Sequence, residues 1–197
     1  MQRGERTLFQ QLDLCLLPGH ALHLKGPNGS GKTTLLRILC GLLWPTEGEL
    51  RVNDTAIAPG DPSLRSMVGF LGHADALKLE LEATENLQFA RTLSGHAPLP
   101  DPLPLLAQVG LAAQATLETR ALSAGQRRRL GIARMIACDH RIWILDEPFT
   151  ALDTQGIALL SGVLEQALDE SRAVVFTSHQ AAPLPSQRLR VLELGTP

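Results

Sequence analysis

Gly26-Pro27-Asn28-Gly29-Ser30-Gly31-Lys32-Thr33 fits the pattern G-x-x-x-x-G-K-[ST]. The apolar run His20-Ala21-Leu22-His23-Leu24 precedes it and reads as a strand; Thr34-Leu35-Leu36-Arg37-Ile38-Leu39 comes after it and reads as a helix. Strand, glycine-rich loop and helix in that order are the context in which this pattern cradles phosphate. The glycines let backbone N–H groups curl around phosphate oxygens where a side chain would collide. The helix start adds its orphan N–H groups and the positive end of its dipole. Lys32 is placed to reach β- and γ-phosphates, and the Thr33 hydroxyl to ligate Mg²⁺. From average residue usage, a glycine-rich turn matches the pattern by accident on the order of once per hundred chains of this length.

Outward from that loop, 197 residues bound the chain to one domain, or one domain carrying a subdomain. A hydrophobic share of 44% supports a full core, while aromatics are 4% with no Tyr. The formal net charge of −2 gives no reason to expect nucleic acid as a partner. Arg127-Arg128-Arg129 is the only dense basic run, and a solvated helix face explains it at least as well as a binding patch. Cys15, Cys40 and Cys138 are odd in number and scattered, which suggests neither a disulfide framework nor a zinc site. Reduced thiols in a cytoplasmic protein are expected. Met1 to Arg6 is polar, and Asp13 and Pro18 interrupt the apolar residues after it, so no signal-peptide form is present. No run approaches the ~18 apolar residues that span a bilayer. The chain is expected not to cross a membrane by itself, while remaining free to dock on a membrane protein.

Thr7 to Leu17 has mixed apolar alternation and predicts one or two short strands ending at Pro18-Gly19. The helix after the glycine loop is expected to run to about Leu43, with Trp44-Pro45-Thr46-Glu47-Gly48 closing the unit. Glu49-Leu50-Arg51-Val52 alternates like an exposed strand before a turn at Asn53-Asp54, and Ser66 to Leu71 is a buried-strand candidate. Thr84 to Ala90 predicts a helix opening on a Thr cap with an acidic first turn. Pro98, Pro100, Pro102 and Pro104 mark a surface loop inside a helical region. Ala124 to Cys138 predicts a helix with Leu130, Ala133, Ile136 and Ala137 on one side. Ile142-Trp143-Ile144-Leu145 and Val174-Val175-Phe176 have the form of buried parallel strands, separated by an amphipathic helix over Gly156 to Leu168; Arg190 to Leu194 is a last strand. Strands alternating with helices predict an α/β fold with a parallel sheet.

Four further elements lie beyond the glycine loop: Leu122-Ser123-Ala124-Gly125-Gln126, Ile142-Trp143-Ile144-Leu145-Asp146-Glu147-Pro148, Ala151-Leu152-Asp153, and Ser178-His179 directly after a buried strand. Each alone is weak. An acidic pair after a strand is often just a strand end, and a His after a strand is a satisfied histidine roughly four times in five. Their chemistry is nonetheless readable. Asp146 ends a strand beside the loop, where a carboxylate can hold Mg²⁺ through water. Glu147, one residue on, can accept a proton from an attacking water. His179 can donate to the γ-phosphate. Ser123 and Gly125 lie at a helix start, an anion site with no anion of its own.

Together and in this order, these elements and the glycine loop resemble the ATP-binding subunit of ABC transporters across nearly the whole chain. The resemblance implies a P-loop ATPase core with a parallel sheet, a small antiparallel β part near the N-terminus, and a helical subdomain from about 76 to 138. It implies nucleotide contacts from Gly26, Pro27, Asn28, Gly29, Ser30, Gly31, Lys32, Thr33 and Thr34, and from His73, Ser123, Gly125, Gln126 and Asp153. Thr33 and Asp146 then hold Mg²⁺, and Lys32, Glu147 and His179 serve hydrolysis. It also implies a head-to-tail homodimer with two ATP molecules sandwiched between protomers. Arg6-Thr7-Leu8-Phe9, Leu71-Gly72-His73, Leu79-Glu80-Leu81, Thr84-Glu85-Asn86-Leu87 and Trp143 to Ala151 are more specifically similar to the small ATPases of cytochrome c maturation, or haem, exporters. That implies an integral membrane permease as partner, a place on the cytoplasmic face of the bacterial inner membrane, and haem that never touches this chain, since no C-x-x-C-H exists.

Two departures from the family pattern stand out. His73 occupies the place of the usual Gln, and the family's adenine-stacking aromatic would fall near Arg3, where no aromatic stands before Phe9. Three alternatives remain open on sequence alone. An ABC ATPase serving another cargo stays open, because cargo sits with the membrane subunit. A DNA-repair or translation ATPase of the superfamily needs a coiled-coil insert or a second ATPase domain. A P-loop kinase leaves Leu122 to Gln126 and His179 without roles.

Overall fold

The structure, a computed structural model, describes residues 1–3, 6–72, 74–179 and 184–195. Along the chain run β1 (Gln2–Arg3), β2 (Arg6–Thr7), β3 (Ala21–Lys25), α1 (Lys32–Leu39), β4 (Leu50–Val52), β5 (Thr55–Ile57), α2 (Pro62–Met67) and β6 (Val68–Leu71). Next come α3 (Ala83–Leu93), α4 (Leu103–Gln108), α5 (Ala124–Ala137), β7 (Ile142–Leu145), α6 (Thr154–Asp169), β8 (Ala173–Thr177) and β9 (Leu189–Glu193).

Five strands form one parallel sheet in the order β6-β7-β8-β3-β9. The near-continuous apolar runs sit in its centre: β8 is buried throughout, and β3 along four of its five residues. Alternate residues feed two faces. Leu22, Leu24, Ile144 and Val175 pack with Leu35 and Leu36 of α1 on one face. Ala21, Trp143, Leu145, Val174 and Phe176 pack on the other with the apolar sides of α3, α4, α5 and α6. Because every strand of this sheet points the same way, the carboxyl ends of β3, β6, β7 and β8 open onto one edge, where such sheets bind ligands. The expected α/β architecture is therefore observed, with its antiparallel part made of two separate pairs, β1-β2 and β4-β5. Asn53 and Asp54 turn β4 into β5 with φ of 48° and 63°, the positive values a tight hairpin turn takes.

Several boundaries differ from expectation for identifiable reasons. Within Thr7 to Leu17 only Thr7 pairs, in β2; Phe9, Leu12, Leu14 and Leu16 satisfy the alternation by packing on the α1 face without strand pairing. α1 stops at Leu39, and Ser66 and Met67 belong to α2, capped by Asp61. α3 opens on Glu82, not Thr84: Glu82 and Glu85 form a reciprocal capping box, while the Thr84 hydroxyl donates to Ala115 O at 3.1 Å. The proline stretch is loop only to Asp101, because Pro104 lies in the first turn of α4, where its missing N–H costs nothing.

His23 is 1% exposed, its ring stacked on Phe176 with centroids 4.6 Å apart and its Nε2 3.0 Å from Ser178 O. Burial holds its imidazole below the ordinary 6.5; the Ser178 hydrogen bond opposes this, the Lys25 charge reinforces it, and the Glu147 charge opposes it. Buried His140, which contacts Ser66 O, is lowered in the same direction, again chiefly by burial. Both rings take up a proton more readily in the unfolded chain, so the stability they confer is complete above 6.5 and is lost as pH falls below it. The urea midpoint should fall between about pH 7.5 and pH 5.5, each histidine contributing at most ~1.4 kcal/mol per pH unit. His23→Phe, which retains a ring against Phe176, should flatten the fall; an unchanged pH slope in that variant would contradict the assignment.

Candidate nucleotide-binding site

The glycine loop leaves β3 and ends at Gly31, the N-cap of α1, whose left-handed φ of 99° suits glycine. A Cβ there would also lie 3.2 Å from both Leu8 Cβ and the Phe9 ring. Phe9 packs against the α1-side cluster, whereas Leu8 lines the cleft. The Lys32 ammonium donates to Gly26 O at 2.7 Å and Pro27 O at 3.1 Å, which holds its charge over the loop.

The ends of three neighbouring strands, β6, β7 and β8, meet at Asp146. Asp146 comes directly after β7, and its N–H donates to Leu71 O at 2.7 Å. Its Oδ2 accepts from Thr33 Oγ1 at 3.2 Å, and its Oδ1 from Thr177 Oγ1, at the end of β8, at 2.8 Å. The same Thr177 oxygen accepts the Glu147 N–H at 2.8 Å. Thr33 and Asp146 present a hydroxyl and a carboxylate oxygen at the helix start, hard ligands of the kind Mg²⁺ takes. Glu147 sits at φ 51°, a left-handed conformation that L side chains rarely adopt. Its Oε1 lies 3.6 Å from Nε2 of His179, a ring that is 64% exposed.

These groups share a cleft of about 750 Å³ lined by Asn28, Gly29, Gly31, Lys32, Thr33, Thr34, Asp146, Glu147 and His179, together with Leu8, Arg37 and Phe70. Gly26 and Pro27 contribute the carbonyls that hold Lys32, and Ser30 is buried within the loop. The remaining predicted residues are elsewhere. Ser123 and Gln126 cap α5 reciprocally, Ser123 Oγ accepting Gln126 N–H at 3.2 Å and Gln126 Oε1 accepting Ser123 N–H at 2.8 Å. A Cβ on Gly125 would come within 2.9 Å of Ala151 O, so α5 and the segment before Asp153 approach too closely for a side chain. Asp153 caps α6 by accepting Gly156 N–H at 2.8 Å. None of these four lines the cleft, so one chain carries two separated groups of predicted nucleotide residues. His73 and the Arg3 side chain lie outside the described residues.

Sequence reasoning missed two residues here. Thr177 bears no motif, yet it fixes both acidic residues. Arg128, expected on a solvated face, is 4% exposed. Its guanidinium donates to Asp146 O, Glu147 O, Pro148 O and Gly72 O, and it pairs with Asp75. Its neighbours also bind carbonyls, Arg127 that of Leu122 and Arg129 those of Val109 and Gly110. Cys40 and Cys138 are buried core residues, the Cys40 thiol pushed up to about 12 by burial and the nearby Asp146 charge.

Thr177→Val preserves shape but strands the Glu147 N–H and one Asp146 oxygen. It should lower unfolding free energy by about 1–3 kcal/mol in urea titration, and Thr177→Ser should restore most of it. Equal losses in both variants would show that the hydroxyl is not what matters.

Comparison with known proteins matches residues 9–150 to the ABC transporter family. The chain is 43% identical over 179 residues to the cytochrome c biogenesis ATP-binding export protein CcmA of Nitrosomonas europaea, covering 90% of this chain and 84% of that one. It is 42% identical over 194 residues to the protein of the same name from Dechloromonas aromatica, covering 98% and 95%. Among solved structures, a bacterial ABC transporter cassette determined as a dimer superposes with TM-score 0.84 at 26% identity, over 98% of this chain and 89% of that one. The same cassette in a post-hydrolysis state bound to ADP and Pi gives 0.80 at 26%, over 98% and 90%. With the family match spanning residues 9–150 and these identities extending over nine tenths of the chain or more, the chain belongs to the ABC transporter family, among the cytochrome c biogenesis ATP-binding export proteins.

Proposed function

We propose that this chain hydrolyses ATP as one half of a head-to-tail homodimer and drives an integral membrane partner in cytochrome c biogenesis, at the cytoplasmic face of the bacterial inner membrane. The observation that carries the proposal is the cleft in which Lys32, Thr33, Asp146, Glu147 and His179 converge on the glycine loop. Lys32 and the loop N–H groups bind the phosphates. Thr33 Oγ1 and Asp146 would hold Mg²⁺, which when bound neutralises charge on the β- and γ-phosphate oxygens. Glu147 takes the proton of the attacking water, and His179 donates to the γ-phosphate.

Ser123, Gly125 and Gln126 stand apart from their own chain's cleft, which supports their serving the nucleotide of a second copy through the N–H groups at the α5 start. Asp153 joins that interface from the neighbouring segment. The structural relative solved as a dimer supports this arrangement. Leu8 lines the cleft while Phe9 packs against the α1-side cluster, which favours binding dominated by phosphates and metal over base stacking. The names of the relatives support cytochrome c biogenesis as the setting. Haem, as cargo, is assigned to the membrane partner, the sequence carrying no C-x-x-C-H.

Glu147→Gln removes the proton acceptor and keeps the side chain's shape. Turnover should fall by at least about a hundredfold while Mg-ATP binding persists. Gel filtration should then show an ATP-stabilised dimer; wild-type turnover by this variant would overturn the assigned role.

A further inference from the structure

The buried guanidinium of Arg128 uses all five of its N–H donors. Nε donates to Pro148 O at 3.3 Å; Nη2 donates to Asp146 O and Glu147 O, both at 2.8 Å. Nη1 donates to Gly72 O at 2.8 Å and to Asp75 Oδ1 at 2.9 Å. Three acceptors are thus consecutive carbonyls of the segment after β7, and two belong to the segment after β6. Asp75, whose side chain is 22% exposed, supplies the countercharge that a buried cation requires.

The middle carbonyl of the three belongs to Glu147, whose φ of 51° persists only if its surroundings hold it. Its N–H is tied to Thr177 and its C=O to Arg128, so the peptide groups on both sides of its Cα are fixed. Those two ties set the direction in which the carboxylate leaves the backbone. We infer that Arg128 and Asp75 are positioning residues for water activation, holding Glu147 in its left-handed conformation and making that conformation depend on the segment after β6. The inference rests on the role of Glu147 proposed above. Arg128 also lies on the first turns of α5, the helix whose start is assigned to the second copy's nucleotide. Displacement at that start, or at the segment after β6, therefore reaches Glu147 through one side chain.

Lysine has three donors and no planar fork, so Arg128→Lys keeps the charge and loses at least two of the five bonds. Turnover at saturating Mg-ATP should fall roughly ten- to hundredfold, while the dissociation constant of Mg-ATP, measured by equilibrium dialysis, changes less than about threefold. Asp75→Ala, at a partly exposed position, should show the same split, and Asp75→Asn, which keeps the acceptor oxygen, should recover part of the loss. Should Arg128→Lys fail to fold, the Asp75 pair decides. Unchanged turnover, turnover and affinity lost together, or no recovery in Asp75→Asn would overturn the inference. Glu147→Gln run alongside separates the two readings: if it turns over normally, the water-activation role fails, whatever the Asp75 and Arg128 variants do.

Discussion

The site depends on a single carboxylate held by two threonines. Asp146 Oδ2 is bound by Thr33 at the start of α1, and Oδ1 by Thr177 at the end of β8. The start of α1 and the carboxyl ends of β7 and β8 are thereby cross-tied through side chains. This fixes where a phosphate-bound cation would sit and, through the Glu147 N–H on Thr177, where the next carboxylate starts. Each bond alone contributes about 1 kcal/mol. Their value lies in geometry, since transition-state stabilisation requires charges aimed in advance.

A second layer surrounds that carboxylate. Arg128 binds the carbonyls of Asp146, Glu147 and Pro148, and His23 in the sheet contacts Ser178 O, next to His179. Both belong to elements whose apolar faces are buried in the same cluster, so the core that stabilises the fold also aims the site. The helices between β6 and β7 share that cluster with the sheet.

Much of this was legible in the sequence, because the glycine loop and the Asp146-Glu147 strand end carry chemistry in fixed local spacing. The parallel sheet could be read from apolar runs long enough only for buried strands. The features that escaped are those decided by long-range packing. Thr177 looks like the end of any β-branched strand; only its neighbour β7 gives its hydroxyl a task. Arg128 looked like its flanking arginines, although it lies three and four residues before buried Gly131 and Ile132, a helical spacing that marked its face. Glu82 displaced Thr84 as the α3 cap because a capping box satisfies two N–H groups reciprocally. The left-handed Glu147 has no sequence signature, since its strain is held by partners from β8 and α5.

The central claim is that each nucleotide site is completed by a second copy of this ABC-type ATPase. Mixing a Lys32→Ala chain with a Ser123→Arg chain tests it most directly. Each variant alone forms dimers with no complete site, whereas a mixed dimer keeps one: the intact loop of one copy facing the intact α5 start of the other. Random pairing of equal amounts should recover about a quarter of wild-type turnover, since half the dimers are mixed and each has one of two sites. No recovery above the inactive parents, or full turnover by Ser123→Arg alone, would contradict the account.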